Sequence, residues 1–191
     1  MKVRVGTEAD VNFAAAMHAS EISEGFLPTL GRAFLARLYR RMVRSPDSFL
    51  LIADDGGVPV GFIAGSEDVR ALYRAFLWRD GVAAALRALP RVVRSVPRVV
   101  ETLRYPAGSN DLPAAELLAI AVAPGSRGHG IGRTLVEALT AEFGRRRVDA
   151  VRVVVGVDNA GAVRLYEACG FRVATRMEVH KGTASQVLTW P

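Results

Sequence analysis

Cysteine is almost missing from this chain: Cys169 stands alone in 191 residues. No disulfide framework and no cysteine-based metal site can be built within the chain from one thiol. Lysine is nearly as scarce. Lys2 and Lys181 accompany 23 arginines, and the net charge is +6. The arginine bias reads either as composition alone or as a surface that attracts anions such as phosphates. Basic blocks with interleaved aromatics are lacking, which argues against a nucleic-acid partner. No apolar run approaches the ~18 residues that span a bilayer. Met1-Lys-Val-Arg-Val also lacks the apolar core of a leader peptide. The expectation is a cytoplasmic protein without membrane contact. His18, His129 and His180 are scattered with no metal-ligand spacing, so no metal is expected.

Half of the residues are apolar and 23% are charged, enough to bury a core in one domain covering 1–191. Residues 2–5 alternate as a short strand. Thr7 with an acid three residues on reads as a helix start, and a helix is predicted over roughly 8–19. Residues 20–31 read as a loop. Residues 32–44 form an amphipathic helix with Phe34, Leu35, Leu38 and Met42 on one face. Strands 48–54 and 58–65 flank an Asp55-Gly56-Gly57 turn. Residues 66–106 read as a helical insertion of two or three helices broken near Asp80-Gly81, Pro90 and Pro97. It either covers the sheet with a solvated basic face or shapes an acceptor pocket or dimer contact. Residues 107–114 are a loop.

From 116 the pattern sharpens. Glu116–Val122 is a near-continuous apolar run, as in a strand covered on both faces. A helix over 131–146, a strand over 150–157 and a helix over 159–169 follow, the last stopped by Gly170. Two closing strands lie at 171–180 and 185–190. The fold class is α/β, α+β-like, with a mixed, largely antiparallel sheet flanked by helices.

The most specific local signal is Val122-Ala-Pro-Gly-Ser-Arg127-Gly128-His129-Gly130-Ile131-Gly132. A buried strand runs through a glycine-rich turn into a helix. The first helical amides have no internal partners and carry partial positive charge. Such a terminus holds anions. Glycines at 128, 130 and 132 allow close backbone approach, and Arg127 adds a cation. The Walker loop is excluded because Arg133-Thr134, not Lys-Ser/Thr, follows Gly132. The dinucleotide fingerprint fails because Arg133 occupies the place of its third glycine.

Arg127-x-x-Gly130-x-Gly132 resembles the Arg/Gln-x-x-Gly-x-Gly/Ala signature of the GNAT superfamily of N-acyltransferases. Downstream, Asn159-Ala-Gly-Ala162-Val-Arg-Leu165-Tyr166-Glu-Ala-Cys-Gly170-Phe171 resembles the family's Asn-x-x-Ala-x-x-Leu-Tyr-x-x-x-Gly-Phe segment. The resemblance covers about residues 115–175, and the 66–106 insertion is no part of the common core.

The resemblance implies a GNAT-type twisted sheet and acetyl-coenzyme A as co-substrate, with no metal. The cleft would open where strands 116–122 and 150–157 splay. Backbone at Ile120, Ala121 and Val122 would pair with pantetheine. Arg127, Gly128, His129, Gly130, Ile131, Gly132 and Arg133 would hold the pyrophosphate, with Asn159 and Tyr166 on the opposite wall. Tyr166 would be the general acid. Glu116 would be the base, or contact the acceptor while water relays the proton. Glu24 and Phe26 are candidates for the acceptor site, where Glu21, Tyr73 and Trp78 are further possibilities. Cys169 reads as a small core residue rather than a covalent carrier.

The implied reaction is direct acetyl transfer to a primary amine in a ternary complex, with a small-molecule acceptor favoured. A protein N-terminal or lysine acetyltransferase is the alternative within the class. A non-catalytic coenzyme A-binding module is the alternative outside it. The chain is expected to be a monomer or a homodimer.

Overall fold

The structure, a computed structural model, describes residues 1–22, 27–76, 78, 112–180 and 183–191. In chain order the elements are β1 (Lys2–Val5), α1 (Val11–Glu21), α2 (Arg32–Arg44), β2 (Ser48–Asp55), β3 (Val58–Ser66) and α3 (Val69–Phe76). Then come β4 (Ala115–Val122), α4 (Ile131–Arg145), β5 (Val151–Gly156), α5 (Ala160–Ala168), β6 (Arg172–His180) and β7 (Thr183–Trp190). Among the described residues the strands form one seven-stranded sheet in the order β1-β2-β3-β4-β5-β7-β6. Every pairing is antiparallel except β4 with β5. The α/β, largely antiparallel sheet predicted from sequence is what forms.

Each face of the sheet carries its own core. Ile131, Leu135, Val136, Leu139 and Phe143 of α4 pack on one face with Leu117, Val151, Val153 and Tyr166. Val11, Ala14 and Ala15 of α1 and Leu35, Tyr39 and Met42 of α2 pack on the other with Leu50, Ile52 and Phe62. Gly65 has no room for a side chain, because an added Cβ would lie 2.7 Å from the Phe49 ring and 2.9 Å from Phe143. Those two rings meet edge to face at 4.9 Å.

Two local expectations change. The Thr7–Asp10 capping box closes on a 3₁₀ turn at Glu8–Asp10, and the α-helix begins only at Val11. Asp10 is drawn into a bidentate pair with Arg4, which holds its carboxyl at about 2. Strand β4 is not sealed on both faces: Glu116, Leu118, Ile120 and Val122 remain half-buried between buried neighbours. Of the 66–106 insertion, α3 and Trp78 are described. The helices predicted around Asp80-Gly81, Pro90 and Pro97 lie outside the described residues, as do Glu24 and Phe26.

His18, in the last turn of α1, is buried and its Nδ1 lies 2.6 Å from the Tyr39 hydroxyl. Burial lowers its pKa from 6.5 to about 4. As pH falls below 6.5 the unfolded chain therefore takes up a proton that the folded chain refuses. The stability this residue secures is whole above pH 6.5 and is lost as pH falls towards 4, on the order of 3 kcal/mol. Urea unfolding at pH 7 and 4.5 should show that loss, and His18→Gln should flatten it. Equal pH slopes in the two proteins would refute the assignment.

Candidate active site

The site begins with an irregularity in β4. Ala64 pairs with Ala119 but Gly65 pairs with Leu117, so Leu118 is an extra residue, a β-bulge. A one-residue insertion reverses which face the following side chains occupy. Ala115 and Leu117 accordingly join the α4-side core, whereas Ala119 and Ala121 join the α1–α2 side. At the same point β4 parts from β5. Their ladder covers Ala115–Val151, Glu116–Arg152 and Leu117–Val153, and ends there. β4 continues to Val122 and β5 to Gly156. From Leu118 onward the β5 flank of β4 has no strand neighbour among the described residues. Ile120, Ala121 and Val122 lie on this open stretch.

The open stretch leads into the glycine-rich turn. Pro124–Ser126 is a 3₁₀ turn, and Gly130 is the N-cap of α4. Gly128 and Gly130 have φ of +82° and +78°, a left-handed conformation costly for residues with a Cβ. Added Cβ atoms at both would meet nothing within 4 Å. These two glycines thus set backbone direction. Gly132 differs: its Cβ would lie 3.3 Å from Leu165 Cδ2, so it allows α4 and α5 to approach. The α4 amides at 131–133 begin a 15-residue helix and have no carbonyls behind them within the helix.

Arg127 does not extend freely from this loop. Its Nε donates to the Val122 carbonyl at 3.1 Å, and its Nη2 pairs with Glu21 at 2.5 Å. The loop is thereby tied to the end of α1. His129 is exposed, with Nδ1 3.4 Å from the Ser126 carbonyl oxygen. Arg133 pairs with Glu137 on the exposed surface of α4.

α5 supplies the facing wall. Asn159 is its N-cap, and Oδ1 accepts from the Ala162 amide at 3.1 Å. Its C-terminus closes as a Schellman motif: Gly170, at φ +91°, donates to the Glu167 carbonyl and Phe171 donates to the Tyr166 carbonyl. The Phe171 ring packs on the Tyr166 ring, centroids 5.7 Å apart. Tyr166 is 5% exposed and sits in the α4-side core. Cys169 is half-buried against the same core, and burial pushes its thiol pKa up.

Glu116 faces the other way. Side chains alternate along a strand, and Leu117 and Val153 point to the α4 side. Glu116 and Arg152 therefore project together towards the α1–α2 side. Arg152 Nε donates to Glu116 Oε2 at 2.8 Å. Burial pushes the Glu116 carboxyl above the ordinary carboxylate range even though Arg152 pulls it down. Burial, and then the Glu116 charge, likewise raise the phenol of Tyr73 in α3. Sequence reasoning singled out Glu116 but missed Arg152. Its partner lies 36 residues away, and one arginine inside Val-Arg-Val-Val-Val was the available signal.

Among the described residues, no group of three or more His, Cys, Asp or Glu side chains is arranged to hold a metal ion. Nor is any helix there long and apolar enough to cross a membrane.

Comparison with known proteins places this geometry. The acetyltransferase (GNAT) family profile matches residues 16–171, and the chain belongs to that family, which uses acetyl-coenzyme A as co-substrate. Over 64 residues it is 42% identical to the [ribosomal protein bS18]-alanine N-acetyltransferase of Escherichia coli strain K12, covering 34% of this chain and 43% of the relative. Over 61 residues it is 43% identical to the mycothiol acetyltransferase of Thermobispora bispora, covering 32% and 21%. The chain thus matches less than half the length of these curated relatives. Among solved structures, a GCN5-related N-acetyltransferase from Kribbella flavida superimposes with a TM-score of 0.67 at 19% identity, covering 100% of this chain and 96% of the other. A spermidine N-acetyltransferase mutant from Vibrio cholerae gives 0.62 at 18%, covering 100% and 94%. At such identity these two establish a shared fold.

Proposed function

We propose that the chain is an N-acetyltransferase that moves an acetyl group from acetyl-coenzyme A to a primary amine by direct transfer in a ternary complex. The observation that carries this reading is the coincidence, on one strand, of the open β4 flank after Leu118 and the left-handed Gly128/Gly130 turn into α4. The residues present fit the co-substrate. Amides from Gly128 to Arg133 suit a pyrophosphate, and the Ile120–Val122 edge, without a strand partner among the described residues, suits an extended amide-bearing arm. Val122 to Leu118 spans about 13 Å of strand. An arm running back along it from the loop ends beside Glu116 on one face and the Tyr166 wall on the other.

Bound acetyl-coenzyme A supplies a thioester whose acyl carbon bonds to the amine nitrogen as its carbon–sulfur bond breaks. Glu116, with its raised carboxyl pKa, accepts the amine proton directly or through water. Tyr166 donates a proton to the departing sulfur; a phenol is protonated at neutral pH. Asn159 and the Schellman closure fix the helix that presents it.

A small-molecule acceptor is favoured because α3, the described helix after β3, packs through Leu72 on the α1–α2 side of the sheet, the side that Glu116 faces. A second reading, acetylation of a protein alanine, is favoured by the match to the bS18-alanine enzyme. A thermal-shift titration with acetyl-coenzyme A, coenzyme A, NADH and ATP tests the shared core of both. The midpoint should rise with the two pantetheine-bearing ligands alone, since ligands that bind only the native state stabilise it by mass action. Thiol release with an amine panel should then follow. A shift without turnover of any amine would leave the non-catalytic binding module in its place.

A further inference from the structure

Arg152 is 4% exposed, and its Nη2 is buried with no hydrogen-bond partner, the one such side-chain atom among the described residues. Buried guanidinium donors are costly to leave unpaired, and native structures leave few of them so. The unpaired nitrogen lies on the arginine whose Nε already holds Glu116. The pair occupies the last-but-one rung before β4 and β5 separate, on the face opposite α4 and Tyr166. A carboxylate and a buried, unused N–H donor thus stand side by side one rung from the point where β4 and β5 part.

We propose that Arg152 Nη2 is a specificity determinant that receives an acyl oxygen of the acceptor, so that the acceptor is an α-amino carbonyl compound. This inference rests on the N-acetyltransferase reading above. An ammonium or amine against Glu116 and a carbonyl or carboxylate oxygen three bonds away against Arg152 match the two groups in sign and in hydrogen-bonding character. Each guanidinium nitrogen occupies a fixed place in a rigid fork, so the oxygen must sit at a set distance from the amine. Polyamines carry no oxygen, and the oxygens beside the amine of an amino sugar are hydroxyls on tetrahedral carbons, not acyl oxygens. A free amino acid and the first residue of a peptide both do.

The test is an amine panel with the wild-type protein and acetyl-coenzyme A, corrected for the fraction of free amine. Alaninamide, alanine and an alanine-headed tripeptide are compared with 2-aminopropane, spermidine and glucosamine. At least one α-amino carbonyl compound should exceed 2-aminopropane by about 10²-fold in kcat/KM. The order within the first three tells a free amino acid from a peptide terminus. Arg152→Gln should bring that preference towards unity while coenzyme A affinity stays within about twofold, because the loop lies on the other face. Spermidine or glucosamine acetylated as well as alaninamide would overturn the inference and leave the proposed activity standing. So would an Arg152→Gln variant that slows all amines alike, which a purely structural arginine would give. Should that variant not fold, the wild-type panel decides alone. Coenzyme A binding with no amine acetylated would overturn both readings.

Discussion

Tyr166→Phe should lower kcat by about 10²-fold or more with little change in coenzyme A affinity, the range that loss of a positioned general acid gives. The substitution isolates the hydroxyl. The Phe171 stack and the Schellman hydrogen bonds depend on the ring and the backbone, both of which phenylalanine keeps. Steady-state thiol release and calorimetric coenzyme A titration together give the answer. Unchanged kcat would remove Tyr166 from the chemistry, and the proton on the leaving sulfur would have to come from solvent. A fall in kcat accompanied by equal loss of coenzyme A binding would make it a wall residue instead.

The second large effect is expected at Gly130→Val. The residue sits at φ +78° as the N-cap of α4, where a β-branched side chain costs roughly 1–2 kcal/mol. That is a modest fraction of ordinary domain stability, and a Cβ there meets no protein atom within 4 Å. The protein should therefore fold, with a melting point lower by a few degrees. Coenzyme A affinity should fall about 10²-fold, because the turn that aims the α4 amides is forced out of shape. Gly132→Ala is the contrast: its Cβ meets only the end of Leu165, at 3.3 Å, and the backbone there is helical. Isothermal titration of the two variants separates the roles. Equal coenzyme A affinity in Gly130→Val and wild type would place the pyrophosphate elsewhere.

Much of the scaffold could be read from residue order. Strand period, turn glycines and the arginine-glycine loop lie within short windows, and local geometry dictates them. The Asn159–Phe171 segment was equally readable, because a cap, a helix and a Schellman closure all occur inside thirteen consecutive residues. What escaped were pairings made across the chain. Arg127 finds Glu21 over 106 residues, Arg152 finds Glu116 over 36, and His18 meets Tyr39 from the neighbouring helix. None has a local signature. The bulge at Leu118 was hidden for another reason. Ala-Glu-Leu-Leu-Ala-Ile-Ala-Val is apolar almost throughout, so its hydropathy carries no alternation that could reveal a change of face. For the same reason β4 looked like a strand sealed on both sides.

That bulge also decides how mutations in β4 combine. Leu117 and Ala119 are two residues apart, a spacing that in a regular strand puts both side chains in one core. Here Leu117 answers to Val153, Leu139 and Phe143, and Ala119 to Leu35, Tyr39 and Phe62. Substitutions at 117 and 119 should therefore behave as distant sites whose effects on stability add. Changes at Leu117 and Leu139, further apart in sequence but within one core, should couple in a double-mutant cycle. Energetically β4 changes allegiance at one extra residue: its buried side chains answer to the α4-side core before the bulge and to the α1–α2-side core after it.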